Sequence, residues 1–257
     1  MKKIVLPLLF VFFMLTGCGS SNNTNKLIIG IDDDFPPVSF HDATGTLVGF
    51  DIDLAKEAAK RMNIEVEFKP INWDNKEEEI TSGHVDMIWN GLDVTDKRKE
   101  YMLFSKPYMD DRQIILVRKE DDSYIYSEYD LEGKSVGTQA GSTSDDYINH
   151  NETLKKIIGE YKTYGRFSEA IAALMNDDIE AVVCDELIAR YEMNRSPNQL
   201  KIINIKIGAI TETAIGFRKD NFELRDKVQK AFDDMIEDGT ASRISEKWFK
   251  ADLIKRT

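Results

Sequence analysis

Five short stretches of this chain place polar or aromatic side chains directly after apolar, strand-like runs. They are residues 32–37, Trp73 with Asp74, residues 90–95, residues 140–143, and Asp185. In α/β sheets, small ligands bind outside the carboxyl ends of the strands, so these stretches define a candidate cleft. Its residue types are carboxylates (Asp32, Asp93, Asp185), an amide (Asn90), hydroxyls (Ser142, Thr143) and aromatic rings (Phe35, Trp73). Such a set holds a small polar molecule. Bond-breaking equipment is missing: His41, His84 and His150 are scattered, with no metal-ligand spacing among themselves or with cysteine. There is no nucleophile elbow or phosphate loop, and Gly133, Gly137 and Gly141 do not match a dinucleotide fingerprint. The expectation is a binding protein with no catalytic residue, no metal and no cofactor.

Converging strand ends require an alternation of strands and helices, and the hydrophobic pattern supplies it. Residues 27–31 and 47–50 read as short strands. Asp51 is placed to cap a helix whose buried face is Ile52, Ala55, Ala59 and Met62, at spacings of three and four. Residues 64–68 alternate apolar side chains with Glu, as a half-buried strand does. A polar helix over 75–82 and a buried strand over 86–89 follow. A second series begins after Tyr108, with strands over 113–118, 135–138, 162–164 and 181–184. Helices over 142–149, 168–176 and 186–193 are interleaved with them. A strand over 213–217 and two helices end the chain. The first of those helices carries Phe222, Val228, Phe232, Met235 and Ile236, and the second Ile244, Trp248 and Phe249. This rhythm predicts parallel sheets with helical crossovers, an α/β protein.

The first residues read as targeting. Lys2 and Lys3 precede a twelve-residue apolar run over 4–15, too short to span a bilayer as a stable helix. The run ends in Leu15-Thr16-Gly17-Cys18, which resembles the bacterial lipobox, where the cysteine is lipidated and becomes the first mature residue. Residues 19–25 contain only Gly, Ser, Asn and Thr, the composition of a flexible tether. The division expected is a signal peptide over 1–17 and a tether over 18–25. Cys184, in an apolar run, is expected to be a buried, inert thiol. A net charge of −12 excludes a nucleic-acid partner, which needs a basic face.

Eight blocks carry a further resemblance: GIDDDFPP at 30–37, GFDIDLA at 49–55, GLDVTDKR at 91–98 and FSKPY at 104–108, then GST at 141–143, DE at 185–186, DGT at 238–240 and EKWF at 246–249. In order and spacing they resemble the polar amino-acid substrate-binding proteins of ABC importers, the bacterial extracellular solute-binding protein family 3, in lipoprotein form. The resemblance implies a two-lobed fold of the periplasmic-binding-protein type II class. Each lobe is then a mainly parallel sheet flanked by helices, and the chain crosses between lobes twice, near 109–112 and 207–210. Lobe one is expected over 26–110 and 209–257, and lobe two over 111–208. The implied partners are a free amino acid (cationic, cystine or glutamine-like), a membrane permease, and the outer face of the cell membrane through the lipid. A monomer is expected.

The resemblance also assigns roles. Arg98 pairs with the ligand's α-carboxylate, where a guanidinium fork fits bidentately; by its local sequence alone it is a surface residue in a charged run. Ser142 and Thr143 open a helix whose N–H groups face the same carboxylate, or act as a plain cap. Asp185 meets the α-ammonium, or caps the next helix, and the Gly91 carbonyl is a further acceptor. Phe35 and Trp73 enclose the ligand side chain. Asp32 and Asn90 line its pocket, with Gln139 and Ser144 at the far wall. Asp93 departs from the family, which has Ser or Thr there. With Asp32 it hints at a cationic side chain, or it turns toward Arg98 or out of the site. An exported enzyme of the dehydratase type, or a ligand sensor, is the alternative on the same fold.

Overall fold

The computed structural model describes residues 26–121 and 125–256. The signal segment, Cys18 and the tether lie outside the described residues. Two five-stranded sheets organise the described residues. The first has the order Glu65–Pro70, Lys26–Ile31, Met87–Ile88, Gly216–Arg218, Met102–Phe104. The second has the order Glu160–Tyr164, Ser135–Gln139, Ala181–Asp185, Met109–Arg118, Leu200–Thr213. Pairs made through helical crossovers are parallel, as the βαβ rhythm predicts. Pairs made by Met109–Arg118, Leu200–Thr213 and Gly216–Arg218 are antiparallel. A small sheet of Asp34–Phe35, Ser39–His41 and Leu47–Val48 stands apart.

Each sheet carries its own core. Ile29, Ile31, Ile52, Leu54, Met87 and Phe217 pack with Val228, Phe232 and Met235 of the helix Phe222–Glu237. In the second sheet, Ile114 and Leu116 face Phe167 and Leu174 on one side. Ile115 and Val117 face Leu131 and Ile148 on the other. Successive side chains of one strand thus enter two cores, which is why residues 114–117 form an unbroken apolar run. Cys184 is buried in one of these cores.

The strands that link the two sheets lie side by side. Met109 pairs with Thr213, Asp110 with Glu212 and Asp111 with Thr211. Leu200–Thr213 is a fourteen-residue strand that the pattern does not predict. Its register shifts between Ile203 and Lys206, and again between Ile207 and Thr211. Each bulge resets the alternation of inward and outward side chains, so no period-2 signal survives. Gly208 sits in one of these irregular stretches at φ +68°, a backbone state other residues rarely adopt. The helix after Gly49 differs from expectation too. It spans Phe50–Met62 with Gly49 at the cap, and Asp51 is turned inward to other partners.

Candidate functional site

One narrow cavity gathers residues from both series of elements. Asp32, Phe35, Trp73, Asn90, Gly91 and Arg98 line it from the first sheet's side. Gln139, Ser142, Thr143, Phe167 and Asp185 line it from the second. Strand ends deliver most of them: Lys26–Ile31 ends just before Asp32, Met87–Ile88 before Asn90, Ser135–Gln139 at Gln139, and Ala181–Asp185 at Asp185.

Arg98 is almost fully buried, in the short helix Asp96–Tyr101. The Thr95 hydroxyl accepts its backbone N–H at 3.2 Å and so starts that helix. The guanidinium donates to the Asp93 carbonyl at 3.0 Å and to the Gly141 carbonyl at 3.3 Å. Its Nε is buried with no hydrogen-bond partner among the described residues. A buried cation with an unpartnered N–H is costly, and an anion entering the cavity relieves that cost. Ser142 caps the helix Thr143–His150 by accepting the Asp145 N–H at 3.0 Å, so the positive end of that helix faces the same region.

Acids gather nearby. Carboxylate oxygens of Asp93, Asp111 and Asp185 lie within 4.8 Å of one another. Gln113 donates to Asp185 at 2.7 Å and to Asp111 at 3.0 Å. The Thr143 hydroxyl donates to Asp93 at 2.7 Å. Burial, then the Asp185 charge, pushes the Asp93 carboxyl up to about 6, against the pull of Arg98. Burial, followed by the charges of Asp185 and Asp93, lifts the Asp111 carboxyl well above its ordinary value. Asp185 opens the helix Glu186–Arg195, yet its side chain makes no cap hydrogen bond there. It faces the cavity instead.

At the aromatic end, Asp32 accepts from Gln139 at 2.6 Å, and its N–H donates to Asn90 at 3.1 Å. Burial raises the Asp32 carboxyl. Arg166 lies 2.8 Å from Asp33 and 3.7 Å from Asp32. Phe35 and Phe167 stack at 5.9 Å between centroids. Behind the wall, Asp51 accepts the Gly91 N–H at 2.6 Å and the Tyr108 hydroxyl at 2.8 Å. Its complete burial pushes it up to about 7. Gly91 has φ +56°, and an added Cβ would meet the Phe35 ring at 3.0 Å, so this turn requires glycine.

Asp93 takes one of the orientations left open for it, and Ser144 differs from its expected place. Asp93 is not among the residues lining the cavity; it pairs with Thr213 in an isolated bridge and turns its carboxylate to Thr143. Ser144 is buried and donates to Gln113, so it forms no far wall. Four residues at or near the site were not anticipated. Phe167 precedes its expected helix by one residue. Asp111 and Gln113 sit in an unremarkable charged stretch, and only the antiparallel pairing of Asp185 with Gln113 brings them to the acids. Lys76 reads as part of a solvated polar helix but is buried.

Comparison with known proteins places this geometry. The family described as "Bacterial extracellular solute-binding proteins, family 3" matches residues 27–251. The L-cystine-binding protein TcyJ of Escherichia coli is 30% identical over 229 residues, covering 89% of this chain and 84% of that protein. The arginine-binding extracellular protein ArtP of Bacillus subtilis is 32% identical over 261 residues, covering 97% of this chain and 98% of that protein. The crystal structure of an ABC uptake transporter substrate-binding protein from Streptococcus pneumoniae with bound histidine superposes with a TM-score of 0.85 at 35% identity. That match covers 90% of this chain and 95% of the other.

Proposed function

We propose a function from one premise: this chain belongs to the bacterial extracellular solute-binding proteins, family 3. Its family and relatives are binding proteins, so it holds a solute and does not transform it. The finer reading is that it captures a free polar amino acid outside the cytoplasm and passes it to the membrane permease of an ABC importer. The observation that carries this reading is the buried Arg98 guanidinium with its unpartnered Nε, in the same cavity as Asp185. A cation for a carboxylate and an anion for an ammonium, on two different lobes, suit a zwitterion. Either lobe alone satisfies one end. A bound amino acid therefore favours the closed arrangement by its differential affinity, through hinge motion at the paired strands around 109–111 and 211–213. Lobe one is then 26–110 with 209–257, and lobe two 111–208.

Asp32, with Phe35, Trp73 and Phe167 around it, supports a cationic side chain. Relatives named for arginine and cystine keep cystine among the candidates, and Gln139 and Asn90 suit an amide. The test is thermal melting of the purified protein against the twenty amino acids and cystine. Saturation with a true ligand is expected to raise the melting temperature by about 5–10 °C. No rise with any of them overturns the amino-acid reading.

The lipobox-like segment supports attachment to the outer face of the cell membrane through Cys18. Cys18→Ala is expected to release the protein from the membrane fraction or leave it unprocessed. Normal maturation with full membrane retention counts against the anchor.

A further inference from the structure

Lys76 begins the helix Lys76–Thr81 on the first lobe and is only 5% exposed. Its ammonium donates to two backbone carbonyls, Trp73 in its own segment at 3.1 Å and Gly141 on the second lobe at 2.7 Å. It also lies 5.5 Å from the centroid of the Trp73 ring, which lines the cavity. Arg98 donates to the same Gly141 carbonyl. One second-lobe carbonyl is therefore gripped by two first-lobe cations. Gly141 has φ +68°, and an added Cβ would stand 2.9 Å from the Asp74 backbone and 3.0 Å from the Lys76 ammonium. The grip thus needs glycine on one side and a long donor on the other.

We propose that Lys76 is a positioning residue that clasps the Gly141 carbonyl on closure, seating the second lobe's 139–143 turn against Trp73 and Arg98 and so retaining the ligand. This rests on the amino-acid-binding reading above. The clasp acts after the lobes have met, so it governs how slowly ligand leaves and not how fast it enters. Arg98 and Lys97 of the first lobe, Asp74 beside it in sequence, and Asp146 of the second lobe are the charged groups that face Lys76. Burial, then the Arg98 charge, lowers its ammonium to about 7 when the clasp is made without an anion.

The experiment uses the full-length protein with L-arginine, L-histidine and L-cystine as probes. Lys76→Met keeps the stem and removes the donor; Lys76→Gln restores a neutral donor. The Met variant is expected to release a bound probe about tenfold faster, the loss of one charge-assisted hydrogen bond, with its association rate unchanged. The Gln variant recovers part of that loss. An unchanged release rate, or an equal fall in the association rate, overturns the clasp. If no probe binds the parent, the amino-acid reading fails instead. The clasp, which retains that ligand, falls with it; an unchanged release rate in a parent that binds removes the clasp alone.

Discussion

Arg98→Ala is expected to weaken amino-acid binding by about 100-fold or more while leaving the empty protein folded. Truncating one partner of a buried charge pair costs about 2–5 kcal/mol, because the other charge is left without its counter-ion. The upper part of that range applies here. Burial removes the guanidinium from competing solvent, and its Nε has no internal partner to turn to among the described residues. Arg98→Lys is expected to recover only a small part. An ammonium cannot bind the Asp93 carbonyl, the Gly141 carbonyl and a carboxylate from one planar fork. Isothermal titration with the amino acid that raises the melting temperature measures both variants. Melting of the empty Ala variant within a few degrees of the parent separates lost binding from lost fold. Near-parental affinity in Arg98→Ala removes the carboxylate assignment.

The second large effect has opposite signs in binding and stability. Asp185→Asn is expected to weaken binding by about 30-fold or more, since a neutral amide replaces the carboxylate proposed to meet the ammonium. The same change is expected to raise the melting temperature of the empty protein by a few degrees at pH 8. Asp93, Asp111 and Asp185 crowd their oxygens within 4.8 Å, and the Asp185 charge is one of the causes that lift both neighbours. For Asp93 the sign is clear: its carboxyl is raised in the folded chain, so its cost grows as pH rises from about 4 through about 6 and is full at pH 8. Removing the Asp185 charge relieves that repulsion. A binding site that stores strain until its ligand arrives gains stability when it is disabled. Titration calorimetry and thermal melting of the one variant check both halves. A fall in melting temperature together with unchanged affinity contradicts the assignment.

Much of this fold was legible because its signals are local. Ile52, Ala55 and Ala59 mark a helix face by spacing alone, and residues 114–117 mark a strand buried on both sides. The 200–213 strand was not legible. Its two register shifts break the alternation that a reader follows, and the pairing that holds it is supplied by a strand some ninety residues earlier. Asp51 shows the same limit from another side. Next to a helix start, a carboxylate reads as a cap. Its real partners, the Gly91 N–H and the Tyr108 hydroxyl, lie 40 and 57 residues away.

The site divides in the same manner. Asp32, Phe35, Trp73, Asn90, Gly91, Ser142, Thr143 and Asp185 follow strand-like runs, whereas Arg98 and Gln139 were named only through the family resemblance; all ten line one cavity. The order of elements determines which residues reach the strand ends, because a strand's end is a property of the chain. What the chain order leaves open is which side chains meet across the gap between sheets. Asp93 turned to Thr143, Gln113 bridging Asp111 and Asp185, and Lys76 reaching the Gly141 carbonyl all join residues far apart in sequence. Desolvation and contact create their chemistry: a polar-helix lysine becomes a buried donor, and the carboxyl of an ordinary aspartate is lifted, only when the two sheets close over them.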